Sequence, residues 1–182
     1  FKILKKICYK KYIDIDLLKN LKFRTILGTL YTHDRSGEYY PSTLERGKSV
    51  NGEASLSFTK DLQLISENYL TYTKNFFDNH EVTLMGGYSY QSYREENIRI
   101  EGANGFITDA FSFWNLGAAT GTPIYDSRLI TSKMTSFYGR ANYAFKSKYL
   151  FTFNARYDGS SNFAKNKKWA FFPSAAFAWD VT

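Results

Sequence analysis

From residue 132 to residue 182, apolar and polar residues alternate along three successive segments that are separated by short connections. The alternation is cleanest in residues 149–158, whose two faces would carry Phe151, Phe153, Ala155 and Tyr157 against Thr152, Asn154, Arg156 and Asp158. A period of two residues predicts a β-strand with one aromatic face and one polar face. In an antiparallel transmembrane β-barrel, such a strand turns its aromatic face to lipid and its polar face to water. The pattern therefore predicts an all-β chain that forms a section of such a barrel.

The neighbouring segments repeat this alternation, between residues 136 and 146 and again between residues 171 and 179. Only residues 146–148 separate the first of these from the strand at 149–158, which is the spacing of a β-hairpin. Upstream segments show the same period at residues 21–31, 62–76 and 81–94. We therefore expect about six or seven strands of a larger barrel.

The predicted connections alternate in length along the chain. They are short at residues 19–20, 77–80 and 146–148, and long at about 34–52, 95–131 and 159–168. This arrangement would place the long connections at one edge of the sheet and the short turns at the other. Outer-membrane barrels have this asymmetry, with short periplasmic turns and long extracellular loops.

Composition alone does not separate a membrane barrel from an aromatic-rich soluble protein. Aromatic residues make up 19% of the chain, including 15 tyrosines, and Tyr and Trp at strand ends suit a membrane interface. The sequence has no apolar run of about 18 residues, so a transmembrane helix is not predicted. The mean hydropathy of -0.41 does not contradict a barrel, because half of each barrel strand is polar.

Catalytic and nucleic-acid-binding functions find little support. His33 and His80 each adjoin a carboxylate but lack a further ligand or a placed nucleophile, so neither an enzyme nor a metal or cofactor site is predicted. Cys8 is the only cysteine and receives no role. The charge of +7 comes largely from residues 2–11 and 165–168, without a nucleic-acid-binding motif. Lysines at the loop tip would be solvated, or would contact lipopolysaccharide phosphates or a partner lipoprotein.

Three charged residues, Arg140, Arg156 and Asp158, alternate onto the polar face of the predicted sheet. There they would face the barrel lumen, where water or another part of the protein can solvate them. The simplest role for them is a set of ion pairs that fixes the register of the strands.

The connection at 95–131 contains Phe111, Phe113 and Trp114 among several glycines. Aromatic rings on a mobile loop suit stacking against a sugar, which makes these residues candidates for ligand binding. Burial against neighbouring loop residues is the commoner fate of such rings, and ligand contact is the alternative.

Several motifs resemble the barrel of SusC/RagA-type TonB-linked outer-membrane transporters. They include residues 140–143 (RANY), 148–150 (KYL), 156–163 (RYDGSSNF), 172–174 (FPS) with Trp179, 67–72 (ENYLTY) and 86–90 (GGYSY). The spacing from the Asp-Gly-Ser-Ser turn to the Phe-Pro-Ser triplet is fairly specific. The resemblance covers residues 16–182 as a partial barrel domain and leaves residues 1–15 as an uncertain basic segment.

This resemblance implies a barrel of about 22 strands around an N-terminal plug domain. It also implies a SusD-like lipoprotein partner, energy supplied through the TonB complex, contact with outer-membrane lipid, and import of an oligosaccharide or peptide ligand across the bacterial outer membrane. The chain would be an internal wall section of a longer polypeptide, because about six or seven strands cannot close a barrel of that width.

Two alternatives stay open. Residues 1–15 place their apolar residues near helical spacing with lysines between them, which favours a basic amphipathic helix, whereas the alternation around Ile13 and Ile15 favours another strand. For the whole chain, the alternative function is a soluble extracellular β-sandwich that binds carbohydrate through surface aromatics.

Overall fold

The computed structural model describes residues 1–77 and 79–181. Their strands form one seven-stranded sheet in which each strand pairs with its neighbours in chain order. The strands are β1 (Lys2–Leu18), β2 (Leu21–Tyr40), β3 (Glu53–Phe76), β4 (His80–Asn104), β5 (Ile124–Phe145), β6 (Tyr149–Ser160) and β7 (Trp169–Trp179). One helical turn, α1 (Glu45–Lys48), and two short 3-10 helices, Asp109–Trp114 and Leu116–Ala118, lie in the long connections. The prediction of an all-β chain with six or seven strands is confirmed.

The strands β5, β6 and β7 pair antiparallel in a continuous register. Phe137 lies opposite Tyr157, and Tyr157 lies opposite Phe171. Because facing residues of paired strands point to the same side of a sheet, this register gathers the aromatic positions of all three strands on one face. The alternation read from the sequence is thus realised with one aromatic face and one polar face.

Two of the predicted short turns, at residues 19–20 and 146–148, are confirmed. In the second, Lys146 and Ser147 adopt positive φ angles of 52° and 53°, the left-handed geometry that a tight hairpin needs. The third predicted turn, residues 77–80, includes Asp78, which lies outside the described residues, as does Thr182 at the end of the predicted domain.

The predicted bounds of the long connections are wrong. The strand β2 continues to Tyr40, β4 continues to Asn104, β5 begins at Ile124 and β6 continues to Ser160, so the connections shrink to residues 41–52, 105–123 and 161–168. The extension of β2 to Tyr40 is mainly polar on both faces and carries no period-two signal, and the backbone ladder does not require one. In the extension of β4, by contrast, Ile98 and Ile100 alternate with polar residues, so the pattern itself continues into the segment that was predicted to be a loop.

Of the two structures left open for residues 1–15, the chain adopts the strand. Residues 2–15 form most of β1, which pairs with β2. Pairing supplies every second backbone group of β1 with a hydrogen-bond partner, which outweighs the weak helical spacing of its apolar residues.

The chain divides into two compact units. The first comprises Phe1–Cys8, Leu30–Leu62 and Arg94–Thr131, and its small core contains Ala54, Ala103 and Phe106.

The second unit comprises Tyr9–Thr29, Gln63–Tyr93 and Ser132–Thr182. Its fully buried residue is a serine, Ser136, whereas large hydrophobic residues such as Phe137 and Phe153 are half exposed. The described residues form a single sheet rather than two packed layers, so the two-sheet sandwich considered as an alternative is not formed.

Candidate functional site

The charged residues Arg140, Arg156 and Asp158 lie on the polar face of the second unit, as the alternation predicts. Arg156 donates through Nε to Asp158 at 2.7 Å and through Nη2 to the hydroxyl of Ser136 at 3.0 Å. Arg140 donates through Nε to Oδ1 of Asn154, its register partner, at 2.6 Å. The ion pair therefore joins residues of one strand, while hydrogen bonds from the two arginines tie β5 to β6.

The same face carries a polar contact that sequence reasoning missed. Arg24 on β2 forms an ion pair with Asp14 on β1, and its Nη1 lies 3.4 Å from the hydroxyl of Tyr69 on β3. Arginine can serve both partners because its planar guanidinium carries five donors in a fixed arrangement.

On the same face of β4, Gly87 lies between Tyr69 and Tyr138. A Cβ atom at Gly87 would stand 2.7 Å from Cβ of Tyr69 and 2.6 Å from Cζ of Tyr138. The guanidinium of Arg156 lies 5.9 Å from the centroid of the Tyr138 ring, within the range of a cation–π contact. We call these six residues, Asp14, Arg24, Tyr69, Gly87, Tyr138 and Arg156, the polar row.

The opposite face of this unit carries two bands of neighbouring aromatic rings. The turn-side aromatic row contains Phe145, Tyr149 and Trp179, with successive ring centroids 6.3 Å apart. The loop-side aromatic row contains Tyr88, Phe137, Tyr157 and Trp169, with centroids 4.8 to 6.2 Å apart. Rings that stack along a sheet face and keep one side open are suited to an apolar surrounding.

The tryptophans at the ends of β7 set the distance between these two rows. Trp169 and Trp179 bound the 11 residues of β7, a length of about 33 Å at about 3.3 Å per residue. For a barrel strand that is tilted by about 40°, this corresponds to about 25 Å along the membrane normal, which is the height of the apolar band between the two aromatic girdles of outer-membrane barrels.

The first unit holds the candidate ligand-binding residues in the connection at 105–123. Phe106 is 6% exposed and packs edge-on against Tyr39, with centroids 5.6 Å apart. Phe111 packs, partly buried, against the same core. These contacts fix the loop on the strands instead of leaving it mobile.

Phe113 and Trp114 extend this cluster. The Phe113 ring stacks between Phe1 at 5.7 Å and Trp114 at 4.7 Å, and it fills the space where a side chain at Gly37 would lie. The guanidinium of Arg35 lies 4.8 Å from the Trp114 ring. Trp114 is nevertheless 59% exposed, so its ring presents surface that Phe113 and Arg35 do not cover.

Asp109 anchors this connection to the end of β2. Its carboxylate accepts hydrogen bonds from the hydroxyl of Tyr39 at 2.7 Å, and from the hydroxyl of Ser42 at 2.8 Å and its backbone N–H at 3.0 Å. These bonds, the one from Tyr39 above all, lower the pKa of Asp109 below its usual 3.8. Burial, together with the bond to Asp109, raises the pKa of Tyr39 to about 12.

The two histidines and the cysteine lie on strands, with His33 on β2 and His80 at the start of β4. His80 Nδ1 lies 2.7 Å from the hydroxyl of Tyr143, and Cys8 is exposed on β1. Within residues 1–77 and 79–181, no group of three or more His, Cys, Asp or Glu side chains is placed to hold a metal ion. The described part of the chain contains no helix that is both long and apolar enough to cross a membrane.

Comparison with known proteins identifies the family. The domain described as TonB dependent receptor-like, beta-barrel, matches residues 11–182. The TonB-dependent receptor P3 of Formosa agariphila is 43% identical over 172 residues, which are 93% of this chain and 17% of that relative. The TonB-dependent receptor SusC of Bacteroides thetaiotaomicron is 48% identical over 48 residues, which are 26% of this chain and 5% of that relative.

Solved structures show the same fold. The RagAB peptide transporter matches 99% of this chain and 20% of its own chain, with a TM-score of 0.84 and 21% identity. The siderophore receptor PiuA of Acinetobacter baumannii matches more distantly, with a TM-score of 0.51 and 13% identity over 97% of this chain and 29% of that chain. The chain thus spans between 5% and 29% of the length of these proteins, and it belongs to the TonB-dependent receptor family as part of the β-barrel domain.

Proposed function

We propose that this chain is a wall section of a bacterial outer-membrane transporter that imports nutrients with energy supplied through TonB. The observation that carries the proposal is the pair of aromatic rows, whose separation of about 25 Å along a tilted strand matches the apolar band of an outer-membrane barrel. The half-exposed aromatic side chains between these rows would be covered by lipid. The polar face would then line the lumen.

In this proposal, Arg140, Arg156 and Asp158 are lumen residues. Their hydrogen bonds to Asn154 and Ser136 occupy part of their polar capacity and leave the exposed remainder for water or for a domain inside the barrel. A charge in that position is tolerated because it need not enter the hydrocarbon.

The proposed partners are a SusD-like lipoprotein and the TonB complex, and the proposed cargo is a glycan oligomer or another nutrient such as a peptide. The similarity to SusC over 48 residues and the fold shared with the RagAB peptide transporter support this class of importer. These likenesses favour an oligomeric ligand without choosing between sugar and peptide.

Trp114 is the residue that we propose for ligand contact in the long connection. Its ring is held by Phe1, Phe113 and Arg35 and is still 59% exposed, so a supported aromatic surface is available for stacking. We assign Phe111 and Phe113 the role of holding that surface, because both rings contact other loop or strand residues.

The native full-length protein provides the test of the proposed transporter. An antibody against residues 105–123 should detect a band much larger than 21.1 kDa in the outer-membrane fraction and should label intact cells. A lipoprotein should co-purify with this band in mild detergent. A soluble species, or a band in the inner membrane, would overturn the proposal.

The test of Trp114 uses uptake and binding by the full-length receptor. Trp114→Ala should weaken binding of the transported oligosaccharide or peptide by about five- to tenfold, as expected for loss of one aromatic anchor. Phe77→Ala provides the matched control, because Phe77 is an 89% exposed aromatic residue in a short turn. Equal affinities for Trp114→Ala and Phe77→Ala would retire the assignment of Trp114.

A further inference from the structure

Arg35 on β2 differs from the other arginines that lie over aromatic rings. Within residues 1–77 and 79–181, four arginines have this position, namely Arg24, Arg35, Arg46 and Arg156. Three of them also form an ion pair, Arg24 with Asp14, Arg46 with Glu53 and Arg156 with Asp158. Arg35 forms no ion pair with any described residue. Its charge is therefore held by rings alone.

Two rings hold the Arg35 guanidinium in place. Its Cζ lies 4.8 Å from the centroid of the Trp114 ring and 5.4 Å from that of Phe58 on β3. Aromatic faces attract the cation, but they do not replace the oxygen acceptors that its five N–H donors require. The side chain is thus oriented before its hydrogen bonds are complete.

The outer nitrogens of this guanidinium are the donors that a ligand can reach. Nε is the only one of its three nitrogens that is buried without a hydrogen-bond partner. The side chain as a whole is partly exposed, so Nη1 and Nη2 form its open edge. Two parallel donors at one edge are the arrangement that a carboxylate accepts in a bidentate contact.

The acidic residue next to Arg35 in the chain does not neutralise it. By strand alternation, Asp34 points to the other face of β2, and it is paired with Lys2 at 2.8 Å. On the face of Arg35, the next residue is Gly37, and the Phe113 ring fills the space where a Cβ would lie there. The neighbours of Arg35 on this face are therefore rings and not carboxylates.

The backbone of the long connection brings Trp114 to Arg35. Ser112 adopts a φ of 48° and a ψ of -146°, a conformation that is costly for a residue with a Cβ and persists only where the surrounding contacts impose it. After this kink, Phe113 packs on Gly37 and Trp114 lies beside Arg35. Strained residues of this kind are concentrated at ligand sites.

We propose that Arg35 and Trp114 together bind a uronic acid unit of an acidic oligosaccharide. The exposed surface of Trp114 would stack against the C–H face of the sugar ring, while Nη1 and Nη2 of Arg35 would donate to its carboxylate. This inference rests on the proposed function, because it assigns a chemical class to the cargo that Trp114 contacts there.

The juxtaposition of the two side chains favours a sugar acid over an acidic peptide. In a uronic acid the carboxylate is attached to the ring that stacks, which suits an indole and a guanidinium only 4.8 Å apart. The side chain of an aspartate or a glutamate could bind Arg35, but it has no ring to place on Trp114. A neutral sugar could use Trp114 but not the charge of Arg35.

The experiment measures binding to the full-length receptor by calorimetry. The probes are tetragalacturonic acid, its fully methyl-esterified form and tetraglutamate. The unmodified receptor should bind the acid at least about tenfold more tightly than the ester, as expected for a hydrogen-bonded charge pair. Arg35→Gln should remove this preference by weakening the acid at least about tenfold and the ester less than about twofold. Trp114→Ala should weaken both sugars.

Arg46→Gln is the matched control. Arg46 also lies over a ring, that of Tyr40 at 4.0 Å, but it already has Glu53 as its partner. Its removal should change neither sugar affinity by more than about twofold. Arg35→Lys keeps the charge without the planar fork and should retain part of the preference for the acid.

Two kinds of result would overturn the inference. Equal proportional losses of acid and ester in both Arg35 variants would show that Arg35 only supports Trp114. An unmodified receptor that does not prefer the acid, or that binds tetraglutamate as tightly, would exclude a uronic acid site. Fractionation of the same cells separates these failures from that of the proposed function: a receptor absent from the outer membrane refutes the transporter itself, whereas an outer-membrane receptor without the preference refutes only the uronic acid site.

Discussion

Tyr138 lies across Gly87, so that a Cβ atom at position 87 would stand 2.6 Å from Cζ of the tyrosine. The contact lets two tyrosines, Tyr69 and Tyr138, approach one another over β4 and completes the polar row. The preceding residue, Gly86, has no atom within 4 Å of its own Cβ position, because it is on the other face of the same strand. Two adjacent glycines thus serve different purposes.

We expect Gly87→Ala to destabilise the barrel by about 1–3 kcal/mol, the usual cost of forcing an extra methyl group into a packed contact. The Cβ of Tyr69, 2.7 Å from the new methyl group, cannot move without its strand. Urea unfolding of the full-length receptor in detergent measures the effect. Gly86→Ala is the matched control and should change the free energy of unfolding by less than about 0.5 kcal/mol; equal losses for both variants would contradict the packing assignment.

In the proposed membrane setting, substitutions on the two faces of β7 should have unequal effects. Ala175 lies opposite Phe153 on the aromatic face and Ala176 lies opposite Thr152 on the polar face, both near the middle of the strand. Ala175→Arg should cost about 2–4 kcal/mol, the penalty of an arginine at the midplane on a lipid-facing position.

Ala176→Arg provides the comparison for this effect. Its side chain would enter the proposed lumen, so the free energy of unfolding should stay within about 1 kcal/mol of the unmodified value. Folding into lipid vesicles, followed by band shift on unheated gels, reports both variants. If Ala176→Arg were the more damaging of the two, the assignment of lipid and lumen faces would be reversed.

The anchor between Asp109 and Tyr39 should make the long connection sensitive to pH at both extremes. Because the pKa of Asp109 is lowered from 3.8, its contribution to stability is present above that value and is lost as pH falls through the lower folded pKa. Because the pKa of Tyr39 is raised from 10.0 to about 12, its contribution is present below pH 10 and is lost between pH 10 and 12. Hydrogen exchange of residues 105–118, corrected for its intrinsic pH dependence, should be slowest between these limits.

Asp109→Asn should abolish the increase in hydrogen exchange at low pH. The variant loses the charge that accepts from Tyr39 and Ser42, so exchange at pH 7 should be faster than in the unmodified receptor and should not rise further on acidification. Glu101→Gln removes an exposed carboxylate paired with Arg99 and should leave the profile unchanged. If hydrogen exchange in Asp109→Asn still rose on acidification as in the unmodified receptor, another titratable group would be responsible for the pH dependence.

The ion pair of Arg156 with Asp158 should contribute modestly to the stability of the polar face. Asp158→Asn removes the charge but retains the shape, and Arg156 keeps its bond to Ser136. We expect a loss of about 1 kcal/mol, in the upper range for a partly exposed pair. Glu96→Gln, which breaks the more exposed pair with Arg94, should have no measurable effect on urea unfolding. Equal effects of the two substitutions would indicate that Asp158 contributes no more than a surface charge.

Alternation of residue types was sufficient to predict six of the seven strands, their two faces and the turns at residues 19–20 and 146–148, because each of these features depends on neighbours along the chain. For residues 1–15 the sequence left helix and strand open, and pairing with β2 decided for the strand. The period of two placed Arg140, Arg156 and Asp158 on one face, and the motifs from residue 140 to residue 179 indicated the family that the comparisons confirm. The predicted strand ends were wrong. In β2 the strand continues through mainly polar residues, where pairing leaves no hydrophobic signal, whereas in β4 the alternation of Ile98 and Ile100 with polar residues does mark the strand.

Contacts between residues that are far apart in sequence could not be predicted without the three-dimensional pairing of the strands. The Tyr138 ring packs over Gly87, and the Trp169 ring packs over Gly159. Arg24 lies within hydrogen-bond distance of Tyr69. The local sequence predicts none of these contacts, because each depends on the register and stagger of separate strands. Phe111, Phe113 and Trp114 were found from composition alone, but their separation into two supporting rings and one exposed ring depends on how the connection folds over β1 and β2. A one-residue change of register would move every such side chain to the other face, which is why the sequence pattern predicts faces and the folded sheet determines partners.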